Sequence, residues 1–299
     1  MGKDEGWKKY FHDNHRCADL INGVGCKGEQ IVKATDLQDA DVTSSKRSRD
    51  ALRKVAFGTN FMIVGIENQE ERDYELALRN MIYDVSDYEK QLIKIQKEVR
   101  AEKNLEPGEY MYGFKKKSKL KPLATFVLYA GKEPWTGPHC LHDMLDFAEV
   151  PETLQSIVSD YKINVIDIRQ FENTEVFQSD LKQVFDFIRC SDDKEKLLDL
   201  VENDVYYKEM DEAAFDVVTT YTNSKELVRA KDYMIQGGKN NVCKAIQDLM
   251  ADSREETKLE IAKELLDVLD DDVIAKKTGL SLEKVKEIRT EGRLGNRFP

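Results

Sequence analysis

Residues 49–69 read RDALRKVAFGTNFMIVGIENQ and place an acid, a turn and an apolar run within the length of one hairpin. Asp50 begins a run of strand type, and residues 58–60, Gly-Thr-Asn, are turn residues. A second apolar run starts at Phe61 and ends at Glu67. Because the strands of an antiparallel hairpin lie side by side, we predict that Asp50 and Glu67 form a pair of carboxylates at its open end.

The triplet that ends the second strand adds a third polar group. Successive side chains of a strand point to opposite faces, so we predict that Glu67 and Gln69 share one face and that Asn68 lies on the other. In proteins Mg²⁺ is held by one or two carboxylates together with water and phosphate oxygens. The stretch therefore predicts a site for a hard divalent cation beside a phosphodiester.

An acid, a strand and an E-x-Q triplet in this order resemble the PD-(D/E)XK nuclease superfamily. The resemblance implies an α/β fold with a restriction-endonuclease-like PD-(D/E)XK core, a mixed central sheet flanked by helices, and in this chain a C-terminal helical extension. In that superfamily the Asp and the Glu bind the metal, and a Lys or Gln positions the attacking water. Gln69 departs from the more usual Lys, and an amide can orient water but cannot act as a base.

A closer resemblance is to the bacterial recombination-promoting nuclease/putative transposase family. It rests on Ile66-Glu67-Asn68-Gln69 followed by the helical segment Leu78 to Asp84. Other matching pieces extend over nearly the whole chain: ADLING at 18–23, VLY at 127–129 with Gly131 and Pro134-Trp135, DLKQVF at 180–185, IAK at 261–263 and TGLS at 278–281. The resemblance implies a transposase-like DNA endonuclease associated with DNA recombination, which uses Mg²⁺ or another divalent cation such as Mn²⁺.

The same resemblance assigns roles to individual residues. Asp50 and Glu67 are expected to hold the metal, and Gln69 is expected to aim the water at the phosphate. Asp19 lies on the first predicted helix, from which the superfamily often supplies another metal ligand. An ordinary acid on a helix face is an equally good interpretation of Asp19, and both stay open.

Basic side chains are predicted to hold the DNA backbone, without reading its sequence, in two places. They are Arg49, Arg53 and Lys54 around Asp50, and Lys115, Lys116 and Lys117 before the next strand. A further candidate, Arg79, follows the triplet on the next helix. It either contacts a phosphate or is the solvated neighbour of a packed Tyr83, four residues further along the same face.

The remaining apolar pattern predicts a three-layer α/β order of helix, hairpin, long helix, strand and strand, the order that the nuclease superfamily uses. The first helix covers 7–22, the long helix 70–103, the buried strands 123–130 and 163–168, and later helices 175–189, 194–203 and 211–221. We predict a PD-(D/E)XK nuclease-like domain over residues 1–223. Residues 224–299 are predicted to form a helical C-terminal region.

The C-terminal region contains a pattern of helix, turn and helix between Val273 and Arg289. Asp272 can cap the first helix, Gly279 ends it, and Ser281 can cap the second. The pattern is typical of DNA-binding pairs, but its charges alternate in sign rather than forming a basic surface. DNA reading and protein–protein contact remain equal alternatives, the latter as homo-oligomerisation through these helices.

Composition narrows the classes of function. The net charge of −11 argues against a protein that coats nucleic acid over its whole surface, but it allows a local basic groove. No run of eighteen apolar residues occurs, and residues 1–15 lack the apolar stretch of a secretory signal. We expect a cytoplasmic protein with DNA as its partner and no membrane contact. Five cysteines without C-x-x-C spacing predict reduced thiols.

Two other motifs are interpreted as decoys. Residues 23–28 fit the dinucleotide-binding pattern G-x-G-x-x-G, but a helix rather than a strand is predicted before them. Residues 139–142, His-Cys-Leu-His, have no second ligand pair at zinc spacing, and a short helix that begins at Pro138 is the better account.

A catalytically inactive DNA-binding or assembly protein with a nuclease-like fold is the alternative function. Glu70 keeps this alternative open, because the family commonly has Ser directly after the triplet. Another carboxylate at that position would either bind a second metal or repel phosphate.

Overall fold

The computed structural model describes residues 3–39, 51–57, 60–221, 234–235 and 239–295, which fall into two compact units. The first unit consists of Met1–Leu200 and Glu212–Thr222, and the second of Val201–Asp211 and Asn223–Pro299. Residues 201–211, inside the predicted nuclease-like domain, thus group with the C-terminal unit. The predicted division at residue 223 stays a prediction.

A five-stranded mixed sheet forms the centre of the first unit, with the strand order β1-β2-β3-β4-β5. The strands are β1 (Leu37–Asp39), β2 (Ala51–Phe57), β3 (Asn60–Gln69), β4 (Leu123–Tyr129) and β5 (Asn164–Asp167). The first three pair antiparallel, whereas β3, β4 and β5 pair parallel. The predicted α/β architecture, a mixed sheet flanked by helices, is confirmed.

The strands β2 and β3 form the predicted hairpin. Ala51 pairs with Ile66 at its open end, and Phe57 pairs with Asn60 next to the turn. The strand β3 continues to Gln69, because its last residues pair in parallel with β4. The short strand β1 is not predicted by the pattern, since three residues are too few to establish a period of two.

The helices of the first unit lie on both sides of the sheet. They are α1 (Lys3–Tyr10), α2 (Asn14–Leu20), α3 (Leu76–Arg100), α4 (Pro107–Tyr112), α5 (Glu152–Gln155), α6 (Leu181–Cys190), α7 (Lys194–Asn203, which continues into the second unit) and α8 (Glu212–Tyr221). The single first helix predicted over 7–22 is wrong. Asp13 accepts a hydrogen bond from the backbone N–H of His15 and so starts α2 as a separate helix.

The long helix α3 covers one face of the sheet. Leu76 and Ala77 at its start are fully buried against Val127 of β4. The helix begins six residues later than predicted, at Leu76 rather than Glu70. The carboxylate of Asp73 accepts the backbone N–H of Glu75 at 2.8 Å, which holds the chain in a turn before the helix.

The opposite face of the sheet is covered by α1, α2, α6 and α8. The side chain of Asn68 and the indole N–H of Trp7 both hydrogen-bond to the Tyr221 hydroxyl of α8, the latter at 2.9 Å. A Cβ at Gly25, just after α2, would lie 2.9 Å from the ring of Phe126 in β4. These contacts place Asn68 and Phe126 on the face away from α3.

The second unit combines a small sheet with helices. Its strands β6 (Met210–Asp211), β7 (Met234–Ile235) and β8 (Lys239–Asn240) pair in the order β6-β8-β7, all antiparallel. The prediction that residues beyond 222 are helical is therefore wrong for β7 and β8, and β6 takes the first residue of the helix predicted over 211–221. Two paired residues are too short a segment to leave a pattern in the sequence.

Among its described residues, the second unit also contains the helices α9 (Val242–Leu265), α10 (Asp271–Thr278) and α11 (Leu282–Gly295). They share a small core that includes Ala262, Ile274 and Val285, each fully buried. Gly279 ends α10 with a φ of 73°, a value that glycine adopts without strain. The predicted helix, turn and helix are confirmed, although the N-cap of α10 is Asp270 rather than Asp272.

The two decoy motifs have local structural roles. Residues Ile21–Gly25 form a π-helical turn that continues α2, so no strand precedes the glycine-rich run. The helix predicted at Pro138 is wrong, because the carboxylate of Asp143 takes the backbone N–H groups of His139 and Cys140 and only His142–Met144 turn as a 3₁₀ helix. All five cysteines are free thiols. Within the described ranges, no helix is both long and apolar enough to cross a membrane.

Candidate functional site

The triplet lies at the end of β3, where the parallel strands β3, β4 and β5 also end. Glu67 is paired with Val127 and Gln69 with Tyr129, so these four side chains share one face of the sheet. That face is the one covered by α3, because Val127 packs against the start of this helix. The carboxylate and the amide therefore point into the space between the sheet and α3.

A single guanidinium joins the two side chains. The Nη2 group of Arg79 in α3 donates to Glu67 Oε1 at 2.6 Å and to Gln69 Oε1 at 2.9 Å. The Nη1 group of Arg79 forms an ion pair with Asp73. Two carboxylates and an amide oxygen thus converge on one cation. We call Glu67, Gln69, Asp73 and Arg79 the triplet cluster.

The triplet cluster is largely shielded from water. The side chain of Glu67 is 10% exposed and that of Arg79 is 33% exposed. Burial by itself lowers the pKa of Arg79, but the charges of Glu67 and Asp73 outweigh burial and hold that pKa above its ordinary value. The guanidinium is therefore a permanent charge that compensates the two carboxylates.

Asp73 is a member of the cluster that the sequence interpretation missed. It lies in the turn between β3 and α3, where its second oxygen accepts the backbone N–H of Glu75. Acids just before a helix are common for this capping reason alone, so Asp73 carries no separate signal of function. Its position six residues before Arg79 becomes informative only when the turn is known.

Asp50 and Arg49 lie outside the described residues. The strand β2 starts with Ala51, which pairs with Ile66, the neighbour of Glu67. The assignment of Asp50 as a metal ligand and of Arg49 as a DNA contact stays a prediction.

The comparison with known families matches the region that contains this site. A family described as "Putative transposase, YhgA-like" matches residues 45–214, which is 170 of the 299 residues. This chain belongs to the YhgA-like putative transposase family. The membership predicted from the residues around the triplet is thereby confirmed. No curated protein and no solved structure matches the chain.

The family match covers some of the predicted site residues and leaves others outside. The matched residues include the hairpin, the triplet, α3, β4 and β5, together with Asp50. Asp19 and the three helices α9, α10 and α11 lie outside the match. The matched part of the chain therefore contains β2 to β5 and the triplet cluster, whereas β1 lies outside it.

Asp19 has another task in the structure than the predicted one. Its carboxylate accepts the backbone N–H groups of Gln178 and Ser179, at 2.9 and 2.7 Å, and the Ser179 hydroxyl at 2.6 Å. These residues lead into α6, on the face of the sheet away from the triplet cluster. Asp19 thus anchors the start of α6, and the hypothesis that it joins the metal is corrected.

Arg53 is also buried in a structural role. It is 8% exposed, and its guanidinium donates to the backbone carbonyl of Phe11 at 2.8 Å and pairs with Asp39 at 3.0 Å. A buried side chain with these partners is not available to DNA, so this predicted contact is wrong. Lys54 is the next residue of β2 and is half-buried, and its contact with DNA stays a prediction.

The basic run at Lys115, Lys116 and Lys117 lies at the other end of the sheet. It precedes β4, and the first residue of β4, Leu123, pairs with Ile63. Glu67 is four residues further along β3, about 13 Å away at 3.3 Å per residue. Lys115 forms an ion pair with Glu102, whereas Lys116 and Lys117 are exposed. The contact of Lys115, Lys116 and Lys117 with DNA stays a prediction.

The charge of Glu70 acts on Tyr221, on the face of the sheet opposite the triplet cluster. Burial raises the pKa of the Tyr221 hydroxyl well above its ordinary value, and the charge of Glu70 adds to the increase. Tyr221 belongs to the opposite face of the sheet, where Asn68 reaches it. The alternatives that Glu70 binds a second metal or repels phosphate stay predictions.

Proposed function

We propose that this chain is a metal-dependent DNA endonuclease that hydrolyses phosphodiester bonds, a transposase-like enzyme associated with DNA recombination. The proposal rests on one observation above all: the carboxylates of Glu67 and Asp73 and the amide oxygen of Gln69 converge on a single cation, the Arg79 guanidinium. The YhgA-like putative transposase family matches this part of the chain, and the resemblance to that family is what leads us to expect nuclease activity.

The residues of the triplet cluster fit Mg²⁺ or Mn²⁺. All three donors are hard oxygen ligands of the kind that these ions prefer. The guanidinium marks a place where the protein already stabilises positive charge between them. Within the described part of the chain, no group of three or more His, Cys, Asp or Glu side chains is placed to hold a metal. Asp50, outside that part, is the predicted further ligand.

Asp50 is a reasonable partner for Glu67 because of chain connectivity. It directly precedes Ala51, whose pairing partner Ile66 directly precedes Glu67. Consecutive Cα atoms are about 3.8 Å apart, so the backbone of Asp50 cannot be far from the end of the hairpin. Asp50 and Glu67 would then hold the ion, with Asp73 as a third carboxylate within reach.

Few groups would carry out the proposed chemistry. A divalent ion held there supplies polarisation of the phosphate and a water of lowered pKa. Gln69 would orient that water with its amide, which accepts and donates hydrogen bonds but takes no proton. Arg79, once displaced from Glu67, would bind a non-bridging phosphate oxygen while Asp73 keeps hold of its Nη1 group.

We propose that the sheet and its helices are a PD-(D/E)XK core. The order of two helices, the strand β1, the hairpin, the long helix α3 and then β4 and β5 supports this proposal, with the triplet at the end of the second strand of the hairpin. DNA is the proposed partner, held by its backbone, so that the core is expected to cut with weak or no sequence specificity.

Nicking of supercoiled plasmid tests the proposal. The parent chain should nick plasmid in Mg²⁺ and not in chelator, and Glu67→Gln should lower the rate by more than about a hundredfold, because a ligand matters at least as much as its supporting shell. The variant keeps an acceptor for Arg79, so its fold should survive. Glu175→Gln, at an exposed ion pair elsewhere, is the matched control. Equal nicking by parent and Glu67→Gln would exclude the assigned site.

A catalytically inactive DNA-binding or assembly protein is the second candidate. It is favoured by the ion pairs themselves, because Arg79 already neutralises Glu67 and Asp73 without any metal. One experiment distinguishes the two candidate functions. If the chain binds plasmid in chelator but never nicks it in Mg²⁺ or Mn²⁺, the inactive protein is the correct account.

A further inference from the structure

A second surface with features of a nucleic-acid site lies at the end of α3 remote from the triplet cluster. In the short helix α4, three consecutive side chains are exposed: Tyr110 by 72%, Met111 by 67% and Tyr112 by 67%. The basic run that ends at Lys121 follows directly. We call residues 107–121 the tyrosine–lysine surface.

The helix that carries the exposed aromatic side chains is held in place by contacts of its backbone. Gln96 of α3 donates its side-chain amide to the Tyr112 carbonyl at 3.0 Å. Gly113, with a φ of 63°, ends α4 against the side chains of Gln96 and Arg100. Glu106 and Glu109 form a capping box at the start of α4. The helix is thus fixed to α3 while its side chains face water.

The geometry of α4 explains why three neighbours are exposed together. Successive residues of a helix are about 100° apart, so residues 110 to 112 cover about 200° of its circumference. A helix exposed over that angle protrudes from the surface. Exposing several large apolar and aromatic side chains together to water is unfavourable, so such a group marks a contact site.

The charge of this region is opposite to that of the whole chain. Residues 94–121 contain nine Lys or Arg and four Asp or Glu, a net charge of +5, in a chain whose net charge is −11. Lys115 is paired with Glu102, whereas Lys116, Lys117 and Lys119 are exposed. The loop that carries them is anchored, since the backbone N–H of Lys121 donates to the Gln91 side chain at 2.7 Å.

The tyrosine–lysine surface is separate from the proposed cleavage site. The contact residue Gln96 is 17 positions after Arg79 on α3. At 1.5 Å per residue the two positions are about 25 Å apart along the helix. A ligand at this surface therefore does not need the triplet cluster.

We propose that the tyrosine–lysine surface binds single-stranded nucleic acid. Exposed aromatic rings stack on unpaired bases, and neighbouring lysines hold the backbone, which is the usual combination for sequence-tolerant binding of single strands. Duplex DNA offers only its phosphates to such a surface, since its bases are stacked on one another. The rings of Tyr110 and Tyr112 thus favour the single strand. The inference goes beyond the proposed function and stands whether or not the chain cuts DNA.

The test is fluorescence anisotropy with a labelled oligothymidylate of about 20 nucleotides, a length above the usual site size. It is done with the full chain in chelator, so that cleavage plays no part. Tyr110→Ala with Tyr112→Ala should weaken binding at least about fivefold per ring, and Tyr110→Phe with Tyr112→Phe should bind within about twofold of the parent, because phenylalanine keeps the stacking face.

The contribution of the lysines is measured separately, through the salt dependence of binding. Neutralising Lys116, Lys117 and Lys119 to alanine should lower the slope of log K against log salt by about 0.7 for each lost phosphate contact. Lys194→Ala with Lys196→Ala, exposed lysines elsewhere in the chain, should leave affinity and slope unchanged.

Two results would overturn the inference. One is an affinity for the oligothymidylate that neither the alanine pair nor the lysine variant changes, with circular dichroism showing all variants folded. The other is no binding of the oligothymidylate together with co-sedimentation of the chain on phosphatidylserine vesicles that the same variants abolish, which would make the surface a membrane contact. Loss of plasmid nicking in the Glu67→Gln variant bears on the triplet cluster alone, so the two proposals fail separately.

Discussion

Arg79 is the residue on which the proposed chemistry depends most, because it already holds the position of a cation. Its guanidinium lies between Glu67, Gln69 and Asp73, and any metal ion that binds Glu67 must compete with it. A unit positive charge about 5 Å from a divalent cation repels it by roughly 7 kcal/mol at an effective dielectric constant near 20. The guanidinium thus stabilises the metal-free cluster at the expense of metal affinity.

Arg79→Met should therefore bind Mn²⁺ at least tenfold more tightly than the parent in calorimetric titration. In chelator the same variant should lose about 1–3 kcal/mol of unfolding free energy, because two shielded carboxylates lose their partner. Mn²⁺ should restore the lost stability.

Arg189→Met is the matched control for this variant. Arg189 is 34% exposed and pairs with an Asp186 that is 11% exposed, nearly the same environment as Arg79 with Glu67. It should lose stability without any gain in Mn²⁺ affinity. If Arg79→Met binds Mn²⁺ no better than the parent does, Arg79 is a structural residue and does not occupy a metal position.

Asp19→Asn separates an anchoring role from a metal role. The backbone and hydroxyl donors of Gln178 and Ser179 would face an amide nitrogen in place of one carboxylate oxygen. We expect a loss of about 1–3 kcal/mol in urea unfolding, with Mn²⁺ affinity unchanged. A parallel fall in Mn²⁺ affinity would return Asp19 to the metal shell.

Among the elements, the hairpin and the buried strands are well predicted from sequence, and the turns are not. Alternating and continuous apolar runs identify β2, β3 and β4, because burial of their side chains requires those residue types. The start of α3 depends instead on one side chain, since the hydrogen bond that Asp73 accepts from the Glu75 backbone holds a turn there and overrides the helical pattern of residues 70–75. The position of Asp73 in the cluster follows from that turn, so sequence alone could not identify it.

The backbone just after β4 has no space for an added side-chain atom. A Cβ at Gly131 would meet the Tyr129 hydroxyl and would come within 2.5 Å of the Glu70 carbonyl, which is backbone. Gly131→Ala should therefore cost about 1–3 kcal/mol of unfolding free energy and shift the loop that follows β3. Gly108→Ala, where a Cβ would meet nothing within 4 Å, should be neutral or slightly stabilising in the same thermal melts. Equal stability of the two variants would contradict the close approach of these chain segments.

At the scale of the whole molecule, the charge distribution is more informative than the total charge. The value of −11 excludes a uniformly basic protein, but it hides the +5 of residues 94–121. The basic run is visible in the sequence. Its distance from the triplet is not, because that distance depends on the parallel pairing of β3 with β4.

The division of the molecule into two units leads to a prediction about truncation. The triplet cluster lies entirely within the first unit, so a chain that ends at Thr222 should keep the parent's Mn²⁺ affinity. The same chain lacks β8, the pairing partner of β6, and Met210 of β6 is fully buried in the complete protein. We therefore expect unchanged Mn²⁺ binding with increased self-association in light scattering. A folded, monodisperse truncation without Mn²⁺ binding would place part of the metal site in the second unit.

Anomalous diffraction from crystals of the full chain grown with Mn²⁺ would show whether a metal ion replaces the guanidinium beside Glu67. We expect a manganese peak about 2.1 Å from a Glu67 carboxylate oxygen, with the Arg79 guanidinium moved away from Glu67. Arg79 still bound to Glu67, and no manganese peak beside it at a concentration that saturates the protein in solution, would contradict this expectation.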